Sequence, residues 1–346
     1  MNRIAQISIF FFSIFSIMAQ QSANTESKYI CPPCSSSCDN IEHEEPGVCS
    51  HCNMVLMKKN DSKTIAFYLQ DGVEVLDFAG PMEVFAYAGY QVFTVSATKS
   101  QIKSQGILKV TPDYSIEDAP NADILAFFGG NSNVAVQNPK VIDWVRQQES
   151  VQYHFSVCTG AFILAEAGVL DGKTATTFHN ALENLEGSYP KVDVRKNVRF
   201  VDNGNVITTA GISAGIDGAL HLVAKLQGVN VAKRTAFYME YDNWKLGDGL
   251  ILSDDNPYTN QISITSLSEF EGTYEYENNQ KIELKLNAGN KDLFAVIDGM
   301  SHPIYHERGD TFSNETNRPI HFKRDSKGNI LGYSLTGDGP LFKKLW

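Results

Sequence analysis

From residue 63 onward the chain alternates short apolar runs with stretches whose apolar positions recur at helical spacing. The runs 64–69, 122–128, 151–155 and 206–209 read as buried strands, and 81–88, 162–168 and 214–226 as helices. Along the last of these, Ile216, Leu220, Val223 and Leu226 mark a core-facing stripe. Strand alternating with helix predicts a doubly wound, mostly parallel α/β sheet with its ligands at the carboxyl ends of the strands. Beyond residue 262 the period changes to two, over 272–276, 281–286, 293–297, 320–324 and 330–335. That alternation predicts five or six half-buried strands in a small antiparallel sheet or barrel. The intervening stretch 246–261 is polar and rich in Gly, Asp and Asn, which reads as a linker. At the start, Met1-Asn2-Arg3 precedes an apolar stretch from Ile4 through Met18, too short for a membrane span and suited to a secretory signal peptide. The expected organisation is therefore a signal peptide over 1–20, a cysteine module over 28–60, an α/β domain over 63–245, the linker, and a β domain over 262–346.

Three predicted strands end in residues that carry chemistry. Cys158 lies in Ser156-Val157-Cys158-Thr159-Gly160-Ala161, on a turn from strand to helix. The amides opening the helix favour a thiolate there, so a lowered pKa and a nucleophilic role are expected. The bland alternative is a small buried hydrophobe. Asp77, between Leu76 and Phe78, is a carboxyl in an apolar loop, so its pKa should rise toward a value useful for moving a proton. Capping the helix that Pro81 opens would be its structural role. The amides of Gly130, in Phe128-Gly129-Gly130, and of Thr159 are candidates for an oxyanion hole, and Ser213 lies in the fourth segment, 206–217, expected to wall the same pocket.

The motifs Leu76-Asp77-Phe78-Ala79-Gly80-Pro81-Met82-Glu83-Val84-Phe85, Phe128-Gly129-Gly130, Ser156 to Ala161, Ala175-Thr176-Thr177-Phe178-His179 and Ala210 to Asp217 resemble the ThiJ/PfpI superfamily of class I glutamine-amidotransferase-like proteins. The branch they resemble contains isonitrile hydratase and the amidase-like sensor domains of certain transcriptional regulators. The resemblance implies a flavodoxin-like fold over about residues 63–245, Cys158 as nucleophile, Asp77 as its acidic partner, and Thr159 and Gly130 lining the site. One departure stands out: the family's histidine after A-T-T is Phe178 here, and His179 follows one residue later. A one-residue shift on a helix turns a side chain by about 100°, so a Cys-His-acid triad is not expected.

Composition limits the remaining classes. With 346 residues, 42% of them hydrophobic, the chain can bury a full core in more than one domain. Its net charge of -11 favours solubility and repels phosphate backbones, so no nucleic-acid partner is expected. Cys31-x-x-Cys34 and Cys49-x-x-Cys52 are paired knuckles with the spacing of a tetrahedral thiolate site. Zinc is the expected metal and copper the alternative, with Met54 a candidate soft ligand, Met57 core packing and Cys38 unassigned. Disulfides are the competing reading for an exported chain. The module resembles the heavy-metal-binding domain found beside copper-efflux systems, with Cys34 and Asn53 departing from that pattern. The β domain resembles the β-rich accessory domain of some exported serine-hydrolase-like proteins. His302, His306 and His321 lack ligand spacing, and Lys233-Arg234 reads as solvated surface charge. Together these readings predict an exported periplasmic or secreted cysteine hydrolase or hydro-lyase acting on a small electrophile. Its other partners would be a metal ion and, as related domains do, a second copy of the chain, with no stable membrane insertion once the signal is removed. The alternative is a non-catalytic ligand-binding or redox and metal stress-sensing protein.

Overall fold

A computed structural model describes residues 28–32, 34, 36–59, 63–148, 150–242, 244–289 and 291–345. The signal peptide expected at 1–20 lies outside the described residues. The cysteine module is a three-stranded sheet in which β1 (Tyr29–Ile30) lies between β2 (Glu42–His43) and β3 (Met57–Lys58). Its core is Cys31, Cys38, Cys49 and Leu56, so thiols stand where a larger domain would place hydrocarbon.

The central sheet of the α/β domain holds eight strands: β4 (Thr64–Tyr68), β5 (Gln91–Ser96), β6 (Tyr114–Ser115), β7 (Ile124–Phe127), β8 (Tyr153–Val157), β9 (Phe200–Asp202), β10 (Val206–Thr209) and β11 (Leu250–Ile251). Their order is β11-β9-β10-β8-β7-β4-β5-β6, parallel except where β9 pairs with β10. Side chains alternate between two buried faces: Ile65 and Phe67 enter one core with Ile124 and Ala126, while Ala66 and Tyr68 enter the other with Leu125 and Phe127. Burial on both faces is why these strands read as continuous apolar runs. Helices α1 (Val75–Tyr87), α3 (Ala214–Gln227) and α4 (Val229–Tyr238) cover one face, and α2 (Ala161–Glu166) covers the other. Among the described residues no helix is long and apolar enough to cross a bilayer.

Two stretches depart from their sequence reading. The polar stretch 246–261 packs on the α/β domain rather than hanging free, since β11 extends the sheet beside β9. Its polar side chains close a buried network in which Lys225 Nζ donates to Asp202 (2.9 Å) and Asp255 (2.6 Å), and His221 lies 3.1 Å from the Tyr258 hydroxyl. Lys233 and Arg234 are not solvated charges. Both are buried against the β domain, where Lys233 Nζ meets Asp292 at 2.6 Å and Arg234 Nη2 donates to Ser313 at 2.9 Å.

The β domain is a meander of eight strands: β12 (Gly272–Glu275), β13 (Lys281–Asn287), β14 (Asp292–Ile297), β15 (Met300–Arg308), β16 (Thr311–Asn314), β17 (Pro319–Arg324), β18 (Ile330–Ser334) and β19 (Phe342–Lys343). The last strand returns to the first: Tyr274 bridges Lys344, and the Leu345 amide donates to the Thr273 carbonyl at 2.8 Å. Closure pairs the edges that an open sheet would leave exposed. Phe270, Tyr274, Phe312, Phe322 and Tyr333 fill the interior edge to face, which makes it a packed core rather than a ligand cup.

Candidate functional site

Strand β8 ends at Val157, and the chain turns at Cys158 with φ of +57°, a conformation that costs a non-glycine residue energy and persists only when its surroundings fix it. Two bonds do so. The Cys158 amide donates to the Ala210 carbonyl at 3.0 Å, and the Thr177 hydroxyl donates to the Cys158 carbonyl at 2.6 Å. The turn presents the sulfur above the sheet, 6% of the residue remaining exposed. Backbone amides of Thr159 and Gly130 both donate to it.

Asp77 reaches the same point from the first turn of α1. The helix starts at Val75, six residues before the predicted start at Pro81, so Asp77 is no cap; Pro81 instead lies inside the helix and withdraws the amide that would have bonded the Asp77 carbonyl. The fully buried carboxylate accepts from the Gly129 amide (2.9 Å) and the Ile212 amide (2.9 Å), and it also bonds the Cys158 thiol. Gly129 makes the meeting possible. A Cβ there would lie 2.7 Å from Asp77 Oδ2 and 2.7 Å from Cys158 Sγ. Gly130 follows with φ of +82° and bridges Val73, closing the loop that carries its amide to the sulfur.

Burial dominates the electrostatics. It pushes Asp77 up to about 6 from an ordinary 3.8, against the opposing pull of the Gly129 and Ile212 amides. Burial, with the Asp77 carboxylate next, also pushes the Cys158 thiol up to about 12 from 9. The expected lowering of the thiol is therefore reversed: the amides of Thr159 and Gly130 do act to lower it, but desolvation and a neighbouring anion outweigh them. Across the neutral range the pair holds one proton between two acids in hydrogen-bond contact, and transfer from sulfur to carboxylate needs no exchange with solvent.

Other sequence candidates fall elsewhere. Ser213 does not join the pair; its hydroxyl accepts from Arg199 Nη2 at 3.3 Å, beside the Arg199–Asp217 ion pair. His179 is exposed with its ring 4.3 Å from that of Phe178, which itself packs on Gly211. Sequence reasoning missed Ile212, Thr177 and Gly129 as positioning residues. All three stand inside quoted motifs, yet nothing in the letters shows that Ile212, a β-branched residue, adopts φ of +56° to aim its amide at Asp77.

A profile of the DJ-1/PfpI family matches residues 63–225. Isonitrile hydratase of Pseudomonas putida is 36% identical over 183 residues, 51% of this chain and 78% of that one. The chain belongs to the DJ-1/PfpI family. The HTH-type transcriptional regulator CdhR of Pseudomonas aeruginosa is 29% identical over 49% of this chain, which spans only 53% of that regulator. A crystal structure of a ThiJ/PfpI family protein from Pseudomonas syringae superposes with a TM-score of 0.50 at 25% identity, covering 59% of this chain and 80% of that one. The α/β unit of this DJ-1/PfpI protein is thus shared, and the thiol module and barrel lie outside the matched residues.

The thiol module gathers a different quartet from the one expected. The Sγ atoms of Cys31, Cys38, Cys49 and Cys52 all lie within 4.8 Å of one another. Cys34 belongs instead to an overlapping group with Cys31, Cys38 and Asp39: it donates to Asp39 Oδ1 at 2.9 Å with its sulfur 3.6 Å from that of Cys38, which the short helix Ser37–Asn40 carries inward. All six cysteines are free thiols. A tetrahedral zinc with bonds of about 2.3 Å separates its sulfurs by about 3.8 Å. The observed separations of 3.1 Å for Cys31–Cys52 and 4.0 Å for Cys38–Cys31 bracket that value, so the quartet fits a metal ion. Burial leads in raising the Cys31 and Cys38 thiols, Cys38 to about 12, and a cation among them would reverse that by stabilising thiolates.

Proposed function

We propose that this DJ-1/PfpI protein is a cysteine-dependent hydro-lyase or hydrolase that adds water to a small electrophile: an isonitrile, an amide or a carbonyl compound. The observation that carries this reading is the contact of the Asp77 carboxylate with the Cys158 sulfur at the gap left by Gly129. For an isonitrile, Cys158 passes its proton to Asp77 as the sulfur bonds the terminal carbon. Asp77 then returns the proton to that carbon, giving a thioimidate. Asp77 next takes a proton from water as the oxygen adds to the same carbon and hands it to the nitrogen. As the C–S bond breaks, the remaining hydroxyl proton passes through Asp77 to the departing sulfur, which releases the N-substituted formamide and restores the thiol. The amides of Thr159 and Gly130, already directed at the sulfur, lie beside any charge that develops on the bound substrate.

The proposal extends to zinc, or Cu(I), held by Cys31, Cys38, Cys49 and Cys52 as a fold-stabilising metal, and to export directed by residues 1–20. A peroxide-sensing role is less well supported, because a thiol pushed up to about 12 is protonated at neutral pH and oxidises slowly. Cys158→Ala and Asp77→Asn, assayed on isonitriles, amides and 2-oxoaldehydes, test the reading. Each variant should lose at least about 10²-fold in kcat/KM on one of these classes; undiminished turnover in Cys158→Ala overturns it.

A further inference from the structure

We infer that the junction of the three units is a second binding site, independent of Cys158, for a small molecule bearing a carboxylate or phosphate group. A cavity of about 430 Å³ opens where the cysteine module, helix α4 and the β domain meet, lined among others by Tyr29, Lys58, Arg234, Lys291, Glu307 and Ser313. That volume falls within the range of small-ligand sites.

Arg234 is the anchor. It is 3% exposed, and its guanidinium bonds only neutral groups: Nη2 donates to the Ser313 hydroxyl (2.9 Å) and the Asn314 carbonyl (3.4 Å). The Tyr305 ring lies 4.9 Å from its central carbon, and Nε has no hydrogen-bond partner. A buried cation with an unused donor is costly to maintain, and an anion is the group that compensates both the charge and the donor. Of the neighbouring acids, Asp292 is held by Lys233 at 2.6 Å; Glu307 offsets part of the Arg234 charge across the cavity, yet it accepts from Ser313 at 2.6 Å and leaves Nε without a partner.

The rim adds to the same preference, because Lys58 and Lys291 are exposed at the cavity and carry further positive charge. A planar guanidinium edge with flexible ammonium groups around it matches the oxygens of a carboxylate or phosphate. Tyr29 stands two residues before Cys31, so an occupied cavity would also hold the cysteine module against the α/β domain.

Thermal unfolding and calorimetric titration of the full chain with inorganic phosphate and with succinate, at constant ionic strength set by chloride, test this inference. Saturable binding of at least one anion is expected, and which one binds names the chemical source. Arg234→Met should weaken that binding at least tenfold. Should that variant fail to fold, Lys58→Ala with Lys291→Ala, both exposed, decides, with an expected loss of threefold or more. Absence of saturable binding to the unaltered chain overturns the inference, as does binding unchanged in a folded Arg234→Met variant, or in the double variant where Arg234→Met does not fold.

Discussion

Replacing Asp77 by Asn separates two effects that a simple acid–base pair would join. In the native pair the carboxylate is the second cause, after burial, holding the Cys158 thiol near 12. At pH 7 a thiol of that pKa reaches its thiolate through solvent at a cost of about 7 kcal/mol, and by transfer to a carboxylate of about 6 at no more than about 8 kcal/mol. Both lie well below a barrier of about 16 kcal/mol, which corresponds to about 10 turnovers per second. A sparse thiolate is therefore no obstacle to catalysis. Asn removes the anion and leaves the burial, so the thiol should titrate at least about one pH unit lower, with about tenfold more thiolate at neutral pH. Yet the proton acceptor is gone, so kcat/KM should fall by about 10²–10⁴. The assay is the pH dependence of iodoacetamide alkylation, followed by mass on the Cys158 peptide to exclude the N-terminal thiols. A variant whose thiol titrates at or above the native value would show that burial alone sets it and refute the reasoning.

Other outcomes follow from the same geometry. Gly129→Ala places a methyl 2.7 Å from both reacting side chains, so overpacking should cost about 1–3 kcal/mol of stability and a displacement of about 1 Å should cost about 10²-fold in kcat/KM; native activity would contradict it. For kcat/KM against pH, the acid limb should bend near 6, where Asp77 gains a proton and can no longer take one. Because its folded value lies above 3.8, Asp77 contributes stability fully present below 3.8 and lost as pH rises through about 6; measured by urea unfolding, Asp77→Asn should therefore gain about 3 kcal/mol relative to the native chain over that window. At the docking helix, Lys233→Met strands a buried Asp292 and should cost about 3–5 kcal/mol, whereas adding Asp292→Leu should recover most of it, as read by denaturant midpoints. Metal analysis of purified chain should show Cys38→Ser losing bound metal and Cys34→Ser retaining it, the reverse of what the C-x-x-C spacing predicts.

The parts of this molecule that were legible beforehand share a physical origin. Strand runs buried on both faces must be apolar throughout, so β4, β7, β8 and β10 announce themselves, and a polar residue at the end of such a run must face either a site or a cap. Cys158, Asp77 and Gly130 were found that way. What stayed hidden depends on which groups meet after folding. Nothing local distinguishes Cys38 from Cys34; the difference arises because Asp39 captures the thiol of Cys34. Lys233 and Arg234 read as surface because their burial comes from the barrel, whose contacting residues lie about 60–80 positions later. Three of the eight β-domain strands escaped the five runs: β16 and β19 offer too few residues for a period of two to register, and β15, though nine residues long, carries Pro303 and buries Pro303, Ile304 and Tyr305 in succession, which hides the alternation.

The same distinction governs the chemistry. Local sequence places amide dipoles at Cys158, and on that ground alone the thiol should be acidic; the fold then buries it beside a second acid and moves it the other way. The site is therefore tuned as a pair, with neither residue set for its task in isolation. A single shared proton suits alternate donation and uptake at one carbon, because each transfer leaves the net charge of the buried pocket unchanged. That invariance explains why two costly acids can remain in contact behind a glycine: only one negative charge is ever buried there at neutral pH, and amides from Gly129, Gly130, Thr159 and Ile212 are arranged around whichever atom carries it.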